Sequence, residues 1–162
     1  RYYNKTASNQ EKRIYELSQI KISKKKPKKT SFKHLATLIQ IGKIKELNTE
    51  SKERAKKVAN WIKKYAPEDF KFEVQKKIKY PFEGKEKEAL IELREVLKIK
   101  DFTEDELFNE FYNICKKFDI KNTDFFRAAY QAIIGKEEGP RLAGLILETG
   151  KEKIIKLLEQ IK

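Results

Sequence analysis

The sequence predicts an all-α fold, a cage of several short helices arranged in two small lobes. Apolar residues recur at helical spacing along most of the 162 residues, so each predicted helix has one face to bury. Capping residues, glycine and proline separate these segments at short intervals, which is typical of helices joined by short connections. About 39% of the residues are apolar, enough for a core, and another 39% are charged, which predicts a heavily solvated surface.

The first predicted elements are a short helix and a lysine-rich loop. Residues Lys12 to Gln19 place Ile14 and Leu17 on one helical face. Six lysines then fall within residues 21–29, where they repel one another, and Pro27 excludes a continuous helix. We therefore predict an exposed loop, which serves either as a solvated linker or as a contact for phosphate groups.

Two further helices follow in the N-terminal part. The first, Phe32 to Ile41, is expected to begin after Thr30 or Ser31 as its N-cap and to end at Gly42. It is apolar on most sides, so we expect it to be buried. His34 lies within it and is expected to be a structural histidine with a partner rather than a metal ligand.

The second of these helices, Ser51 to Tyr65, is amphipathic, and Thr49 or Ser51 is the expected N-cap. Its predicted inner face consists of Ala55, Val58, Ala59, Trp61 and Ile62. Its outer face carries Lys52, Arg54, Lys56, Lys57, Lys63 and Lys64. Such a face is usually only solvated, but this one adds positive charge to the half of the chain that already holds the lysine-rich loop.

Residues 66–84 form the predicted boundary between the lobes. The alternation of Phe70, Phe72 and Val74, with proline on both sides, predicts either a short strand or an extended connector. We therefore divide the chain into a basic helical lobe, residues 1–82, and a C-terminal helical lobe, residues 83–162. The second lobe is predicted to contain five helices, near residues 85–98, 103–118, 125–134, 141–147 and 151–161.

Local signals define these C-terminal helices. One apolar face is shared by Ala89, Leu90, Leu93, Val96 and Leu97. Thr103 and Glu106 have the spacing of a capping box, in which each side chain satisfies the backbone amide of the other residue. Cys115 falls on the apolar face of that helix and is expected to be an inert core thiol. Residues 122–124 are expected to cap the next helix, which Gly135 closes.

Charge is distributed unevenly along the chain, whose net charge is +13. Residues 1–82 contain 23 lysines and arginines against 8 acidic residues, whereas residues 83–162 contain 15 against 17. One half therefore generates a long-range positive field and the other is nearly balanced. Such a field attracts polyanions, and RNA is the partner we expect.

The composition argues against several classes of site. Cys115 and His34 are the single residues of their kinds, which excludes an internal disulfide and a metal site of several cysteines or histidines. The sequence has neither a Walker loop nor a dinucleotide fingerprint, and it offers no Gly-x-Ser-x-Gly turn for a nucleophile. No apolar run approaches the roughly 18–20 residues of a membrane span. We therefore expect no catalytic residue, metal site or cofactor in this chain, and no membrane partner.

The segment from Phe125 to Gly150 is the most informative part of the sequence. A helix ends at Gly135, and Gly139 and Pro140 lead into the next helix, with Pro140 expected in its first turn. The start of that helix is a potential anion site, to which Arg141 adds a charge. The alternative is a plain corner between two helices, with Phe126, Ala129 and Tyr130 in the core.

This segment also carries a family resemblance. The run Gly135-Lys136-Glu137-Glu138-Gly139-Pro140-Arg141-Leu142 resembles the C-terminal signature of class I lysyl-tRNA synthetases, the type common in archaea. Residues 15–18 and 31–41 resemble a segment that follows the catalytic core in that family. The resemblance implies a helical region like the anticodon-binding region of class I aminoacyl-tRNA synthetases. Lysine activation with ATP and transfer to tRNA(Lys) would belong to a Rossmann domain upstream of Arg1, in a cytoplasmic enzyme.

The predicted RNA contacts follow from the segment and its resemblance together. For stacking and base recognition we expect Arg127, Tyr130, Lys136 and Arg141. For attraction of the RNA backbone we expect Lys24, Lys25, Lys26, Lys28, Lys29, Lys56 and Lys57. Two alternatives remain at this point. One is a helical adaptor or general RNA-binding module that docks to acidic partners. The weaker one is an enzyme that uses Glu104, Asp105 and Glu106, although these residues fit helix capping without a further role.

Overall fold

The computed structural model describes residues 5–17, 30–45 and 47–161. Two compact units divide the chain, residues 1–30 and residues 31–162. The described residues form eight α-helices and contain no strand, which confirms the predicted all-α fold. Within them no helix is both long and apolar enough to cross a membrane.

The first unit contains α1, Asn9–Leu17. A capping box that the sequence analysis overlooked starts this helix: Ser8 N donates to Glu11 Oε2 over 2.8 Å, and Glu11 N donates to Ser8 Oγ over 3.2 Å. The helix therefore begins three residues before the predicted start. Its expected apolar face is largely exposed, since Ile14 is 60% and Leu17 is 78% accessible.

Two helices, α2 (Phe32–Gln40) and α3 (Thr49–Lys64), pack against each other in the second unit. Their contact is a small buried cluster of Leu35, Ala36, Ala55 and Val58. Ser31 Oγ accepts a hydrogen bond from His34 N, which confirms one of the two expected N-caps. Asn48 caps α3 by accepting from Ser51 N over 2.8 Å, so the expected caps Thr49 and Ser51 were wrong.

Only one face of α2 is buried, which corrects the prediction of a helix buried on most sides. Phe32 is 43% accessible and His34 is also exposed. The reason is that α3 and the residues after it cover α2 from one direction. Nε2 of His34 lies 3.9 Å from Oε1 of Glu148, so the expected structural histidine is a solvated side chain beside a carboxylate.

Five helices surround the main core: α4 (Gly84–Ile99), α5 (Glu104–Lys117), α6 (Asn122–Ile134), α7 (Leu142–Thr149) and α8 (Lys151–Leu158). The predicted buried face of α4 is confirmed at all five positions. Phe111 and Phe125 are fully buried, with ring centroids 5.7 Å apart. Burying each such side chain contributes about 1.5–3 kcal/mol, so this aromatic contact anchors α5 to α6.

The predicted capping box at the start of α5 is confirmed. Thr103 N donates to Glu106 Oε2 over 2.8 Å, and Glu106 N donates to Thr103 Oγ1 over 3.3 Å. These hydrogen bonds, from the Thr103 backbone above all, and the nearby Lys100 lower the pKa of Glu106 to about 2. Cys115 is buried as expected, and burial raises the pKa of its thiol, which keeps it protonated.

Two helix starts differ from the predictions. Lys121 occupies the N-cap position of α6 and makes no side-chain capping bond, so residues 122–124 lie in the first turn rather than before it. Leu142 is the first residue of α7, which leaves Pro140 in the loop instead of the first helical turn. Gly135 closes α6 as expected, with a left-handed φ of 69° that favours glycine.

A connector, residues 66–83, joins α3 to α4, and we call it the strap. It contains a turn at residues 68–70 and bends at residues 76, 77 and 80 and forms no strand, so the predicted short strand is wrong. Gln75 N donates to the Ile133 carbonyl at the end of α6 over 2.8 Å. Ile78 N donates to Oε1 of Gln160 over 3.1 Å. These bonds fix the strap to the main core. The functional division of the two lobes at residues 82 and 83 stays a prediction.

Candidate nucleic-acid interface

A groove of about 1190 Å³ runs beside the strap, between the α2–α3 pair and the C-terminal end of α6. We call it the strap groove. Six lysines line it, namely Lys63, Lys71, Lys76, Lys77, Lys79 and Lys136. The acidic residues of its lining are Glu68 and Glu73. The groove therefore has a clear excess of positive charge, which favours a polyanionic ligand.

The strap exposes its lysines because its apolar side chains are used for packing. Phe72, Val74 and Ile78 pack against the main core. Lys77 and Lys79, on either side of the partly buried Ile78, are exposed. The same bonds that anchor the strap backbone thus hold these ammonium groups along one wall of the groove.

The lysines of the groove differ in how they are paired. Lys71 Nζ lies 2.6 Å from Oε1 of Glu68. Lys136 Nζ donates to the backbone carbonyls of Glu68 and Asp69, over 2.6 and 3.2 Å. The remaining four, Lys63, Lys76, Lys77 and Lys79, form no ion pair with any described residue. Their charges are available to an external anion.

One wall of the groove contains an exposed aromatic ring. Tyr80 is 47% accessible, and its ring centroid lies 4.9 Å from that of Phe82, which is buried. The buried ring supports one part of Tyr80 and leaves another part open to the groove. A supported, half-exposed aromatic ring beside lysines is the arrangement on which an unpaired base stacks.

The end of α6 forms the opposite wall, and Gln75 holds it in place. Gln75 Nε2 donates to the carbonyls of Gln131 and Ala132, over 2.6 and 3.2 Å. The Gln131 carbonyl also accepts from Gly135 N, whereas the Ala132 carbonyl lies in the last turn, where the helix itself supplies no donor. A Cβ at Gly135 would lie 3.2 Å from Cδ of Gln75, which shows how closely the two approach. Gln131 also lines the groove, and its side-chain amide forms no hydrogen bond within the described part of the chain.

The corner at residues 135–142 is tightly packed. The hydroxyl of Tyr130 donates to the Pro140 carbonyl over 2.6 Å, and burial raises the pKa of this phenol, so it keeps the proton that it donates. A Cβ at Gly139 would lie 2.7 Å from Cδ1 of Ile134 and 3.1 Å from the Tyr130 ring, so the chain approaches these side chains closely at this glycine. Tyr130 is therefore a packed corner residue whose hydroxyl has a partner.

A carboxylate of the protein lies at the start of α7, where the sequence predicts an anion site. Oε1 of Glu104 is 3.1 Å from NH1 of Arg141 and would be 3.5 Å from a Cβ at Gly144. A small cavity of about 180 Å³ at this place is lined by Glu104 and Asp105 as well as Arg141. The helix dipole and the arginine thus already face a negative group, and the local charge does not favour phosphate.

The comparison with protein families agrees with the resemblance seen in the sequence. The family model described as anticodon binding domain matches residues 26–162. The chain belongs to the anticodon-binding domain family. The matched region includes the whole strap and α2 through α8, so both the strap groove and the corner lie in the family domain.

Several curated proteins similar to this anticodon-binding domain are lysine–tRNA ligases. One from Borrelia garinii subsp. bavariensis is 38% identical over 92% of this chain, and one from Borreliella burgdorferi is 36% identical over 90%. A third, from Thermococcus kodakarensis, is 32% identical over 91% of the chain. In each case the match spans 32% of the relative, so the chain corresponds to about a third of these proteins.

The four predicted base-reading residues of this anticodon-binding domain are not brought together. Tyr130 and Arg141 line the small corner cavity, and Lys136 lines the strap groove. NH2 of Arg127 lies 3.1 Å from Oδ1 of Asp124, an ion pair on the face of α6. Each of the four thus has a partner inside the protein, and their contact with RNA stays a prediction.

The predicted backbone contacts and the groove lysines are different residues. Lys24, Lys25, Lys26, Lys28 and Lys29 lie outside the described residues. Lys56 and Lys57 are exposed on α3, and Lys56 is 3.1 Å from Glu53. Lys71, Lys76, Lys77, Lys79 and Tyr80 are not among the predicted contacts, because residues 66–84 were interpreted only as a boundary between lobes. The sequence pattern that indicates them is a run of four lysines between Phe70 and Tyr80.

Proposed function

We propose that this chain is the tRNA-binding part of a lysine–tRNA ligase and that it recognises the anticodon end of tRNA(Lys). The observation that carries the proposal is the match of an anticodon-binding domain over residues 26–162, in a domain that has a groove of about 1190 Å³ lined by six lysines. The assignment of lysine as the amino acid rests on the similar proteins, which are named lysine–tRNA ligases. In this proposal, ATP-dependent lysine activation belongs to the portion of such ligases that the chain does not match, in the cytoplasm where tRNA is used.

The charge distribution explains how such a domain would gain affinity. Each lysine that neutralises a phosphate releases a condensed counterion, so affinity falls as salt rises, by about 0.7 log units per contact and per tenfold salt for single strands. Charge alone gives no sequence preference. Discrimination between tRNAs requires unpaired bases to be stacked or hydrogen-bonded, which anticodon-loop nucleotides permit.

A titration tests this proposal directly. Fluorescently labelled tRNA(Lys), the same tRNA with a changed anticodon, and a duplex DNA with as many phosphates are each titrated with the chain at two salt concentrations. We expect all three to bind more weakly at high salt and tRNA(Lys) to bind most tightly at both. Equal affinity for the two tRNAs would contradict recognition of the anticodon. If the duplex DNA also bound as tightly as tRNA(Lys), the chain would be only a charge-driven binding module of the adaptor type.

A further inference from the structure

We propose that the strap groove is the binding site for a single-stranded RNA segment. The strap lysines contact its phosphates, Tyr80 stacks on one base, and the amide of Gln131 hydrogen-bonds a base edge. This inference rests on the proposed tRNA-binding function and deepens it, because it assigns the recognition to residues other than those the sequence indicates.

The shape of the groove favours a strand over a small anion. Its volume, about 1190 Å³, exceeds the roughly 300–1,000 Å³ typical of small-molecule pockets. It is bordered by separate elements, the α2–α3 pair on one side and the end of α6 on the other. An extended ligand that passes along the strap would contact both borders.

The positions of the charges favour a chain of phosphates. Lys76, Lys77 and Lys79 lie within four consecutive residues of the strap, and all three are exposed and line the same groove. Consecutive phosphates of a nucleic-acid strand also place several charges close together along one chain. None of the three lysines is paired with an acidic residue in the described regions, so binding does not first have to break an internal ion pair.

The aromatic ring and the amide favour unpaired bases over a duplex. Tyr80 offers a half-exposed ring, and stacking requires a base whose face is free. The Gln131 amide presents a donor and an acceptor side by side, and unpaired bases expose complementary edges. In an A-form duplex the bases are stacked and the major groove is too deep and narrow for side chains to read, so both groups would lack partners.

Variants of the full chain test the assignment against an anticodon stem–loop RNA of tRNA(Lys) and a fully paired duplex of equal phosphate number. One variant is Lys76→Gln/Lys77→Gln/Lys79→Gln. Its control is Lys116→Gln/Lys121→Gln/Lys153→Gln, which removes as much charge from exposed positions that do not line the groove. We expect the groove variant to reduce the salt slope for the stem–loop by about 2, and the control to change it by less than half as much.

Two single substitutions separate stacking and base reading from charge. Tyr80→Ala is expected to weaken stem–loop binding roughly 5- to 100-fold, whereas Tyr80→Phe, which keeps the ring, stays close to the wild type. Gln131→Leu keeps the helix and is expected to reduce the preference for tRNA(Lys) over the tRNA with a changed anticodon. Circular dichroism establishes that each variant is folded.

A lysine-acetylation footprint of the wild-type chain tests the same contacts without any substitution, so its result does not depend on whether a variant folds. Acetylation of lysines, measured by mass spectrometry with and without the stem–loop, is expected to show protection of Lys76, Lys77 and Lys79 but not of Lys116 or Lys153. The inference is overturned if the strap lysines stay unprotected, or if both triple variants lose affinity equally while Tyr80→Ala binds normally. Preferential binding of tRNA(Lys) by the wild type would then leave the proposed function standing, whereas its loss would remove both.

Discussion

The strap groove and the corner at residues 135–142 both have features of an RNA site, but their charges differ. Six lysines and two glutamates line the groove, and most of the lysines are unpaired with described acidic residues. In the corner cavity Arg141 faces Glu104 and Asp105. The corner carries the residues of the family resemblance, and the groove carries the available positive charge.

The residues of the family resemblance have structural roles at the corner. Gly135 and Gly139 allow close approaches that a Cβ would hinder, and Lys136 holds two carbonyl groups of the strap. The signature residues therefore shape the groove wall at the end of α6 and anchor the strap. The strap in turn carries the exposed lysines. A sequence signature can thus mark the support of a binding site and not the site itself.

The largest effect is expected at Gly139, the tightest point of the corner. In Gly139→Ala the added Cβ would meet Ile134 Cδ1 at 2.7 Å and the Tyr130 ring at 3.1 Å. Overpacking of this kind costs about 1–3 kcal/mol of folding free energy, measured by urea unfolding. Gly144→Ala is the matched control, because the nearest side-chain atom there lies 3.5 Å away. Equal stability of the two variants would mean that the corner is not tightly packed.

The capping box of α5, which holds Glu104 beside Arg141, gives the next largest effect. Thr103→Ala removes the N-cap side chain and is expected to lower stability by about 0.5–2 kcal/mol at neutral pH. The folded state lowers the pKa of Glu106 from its ordinary value of 4.5 to about 2. The stability that the ionised Glu106 carboxylate contributes is therefore complete above pH 4.5 and is lost as the pH falls through about 2. The stability difference between wild type and variant should therefore shrink across that range. A difference that does not depend on pH would show that the Thr103 hydroxyl acts only as the acceptor for Glu106 N and not as a donor to the Glu106 carboxylate.

A smaller effect is expected when the corner loses its buried hydroxyl. Tyr130→Phe keeps the ring but leaves the Pro140 carbonyl without its donor, which costs about 0.5–1.5 kcal/mol of stability. Since Tyr130 packs in the corner rather than stacking on RNA in this account, tRNA affinity should stay unchanged. Thermal unfolding and an RNA titration check the two parts. A loss of RNA affinity without a loss of stability would favour the corner as the binding site.

The smallest effect concerns the acidic residues of each region. Glu73→Gln removes a negative charge from the groove lining, and Glu104→Gln removes one from the corner. We expect Glu73→Gln to tighten tRNA binding by roughly 2- to 5-fold at low salt, consistent with the modest energies of exposed charges, and Glu104→Gln to change it less. The reverse order, measured in parallel titrations, would show that phosphate approaches Arg141.

Sequence predicted the features that depend on local chemistry. The buried face of α4, the capping box at Thr103 and the end of α6 at Gly135 each follow from neighbours within a few residues, and each is confirmed. Helix starts were less certain where several polar residues compete, as at Asn48. The exposure of Phe32 could not be foreseen, because it depends on where α3 packs.

The strap groove could not be predicted from the sequence, because it depends on a contact between residues far apart in the chain. It exists because Gln75 bonds to the end of α6, across more than fifty residues of sequence. Without that contact the strap is an extended connector and its lysines have no common surface. The charge excess of residues 1–82 was visible in the sequence. The contact with the end of α6, which places part of that charge along a groove, was not.

The central claim is that RNA binds along the strap and not at the corner. Its most direct test compares two variants that each lose two charges, Lys77→Gln/Lys79→Gln in the groove and Arg127→Gln/Arg141→Gln, which removes the two arginines that the sequence predicts to read bases, outside the groove. Affinity for the tRNA(Lys) anticodon stem–loop is measured at one low salt concentration. We predict that the groove variant binds about tenfold or more weakly and the other remains within about threefold of the wild type. A larger loss in the arginine variant would contradict the account.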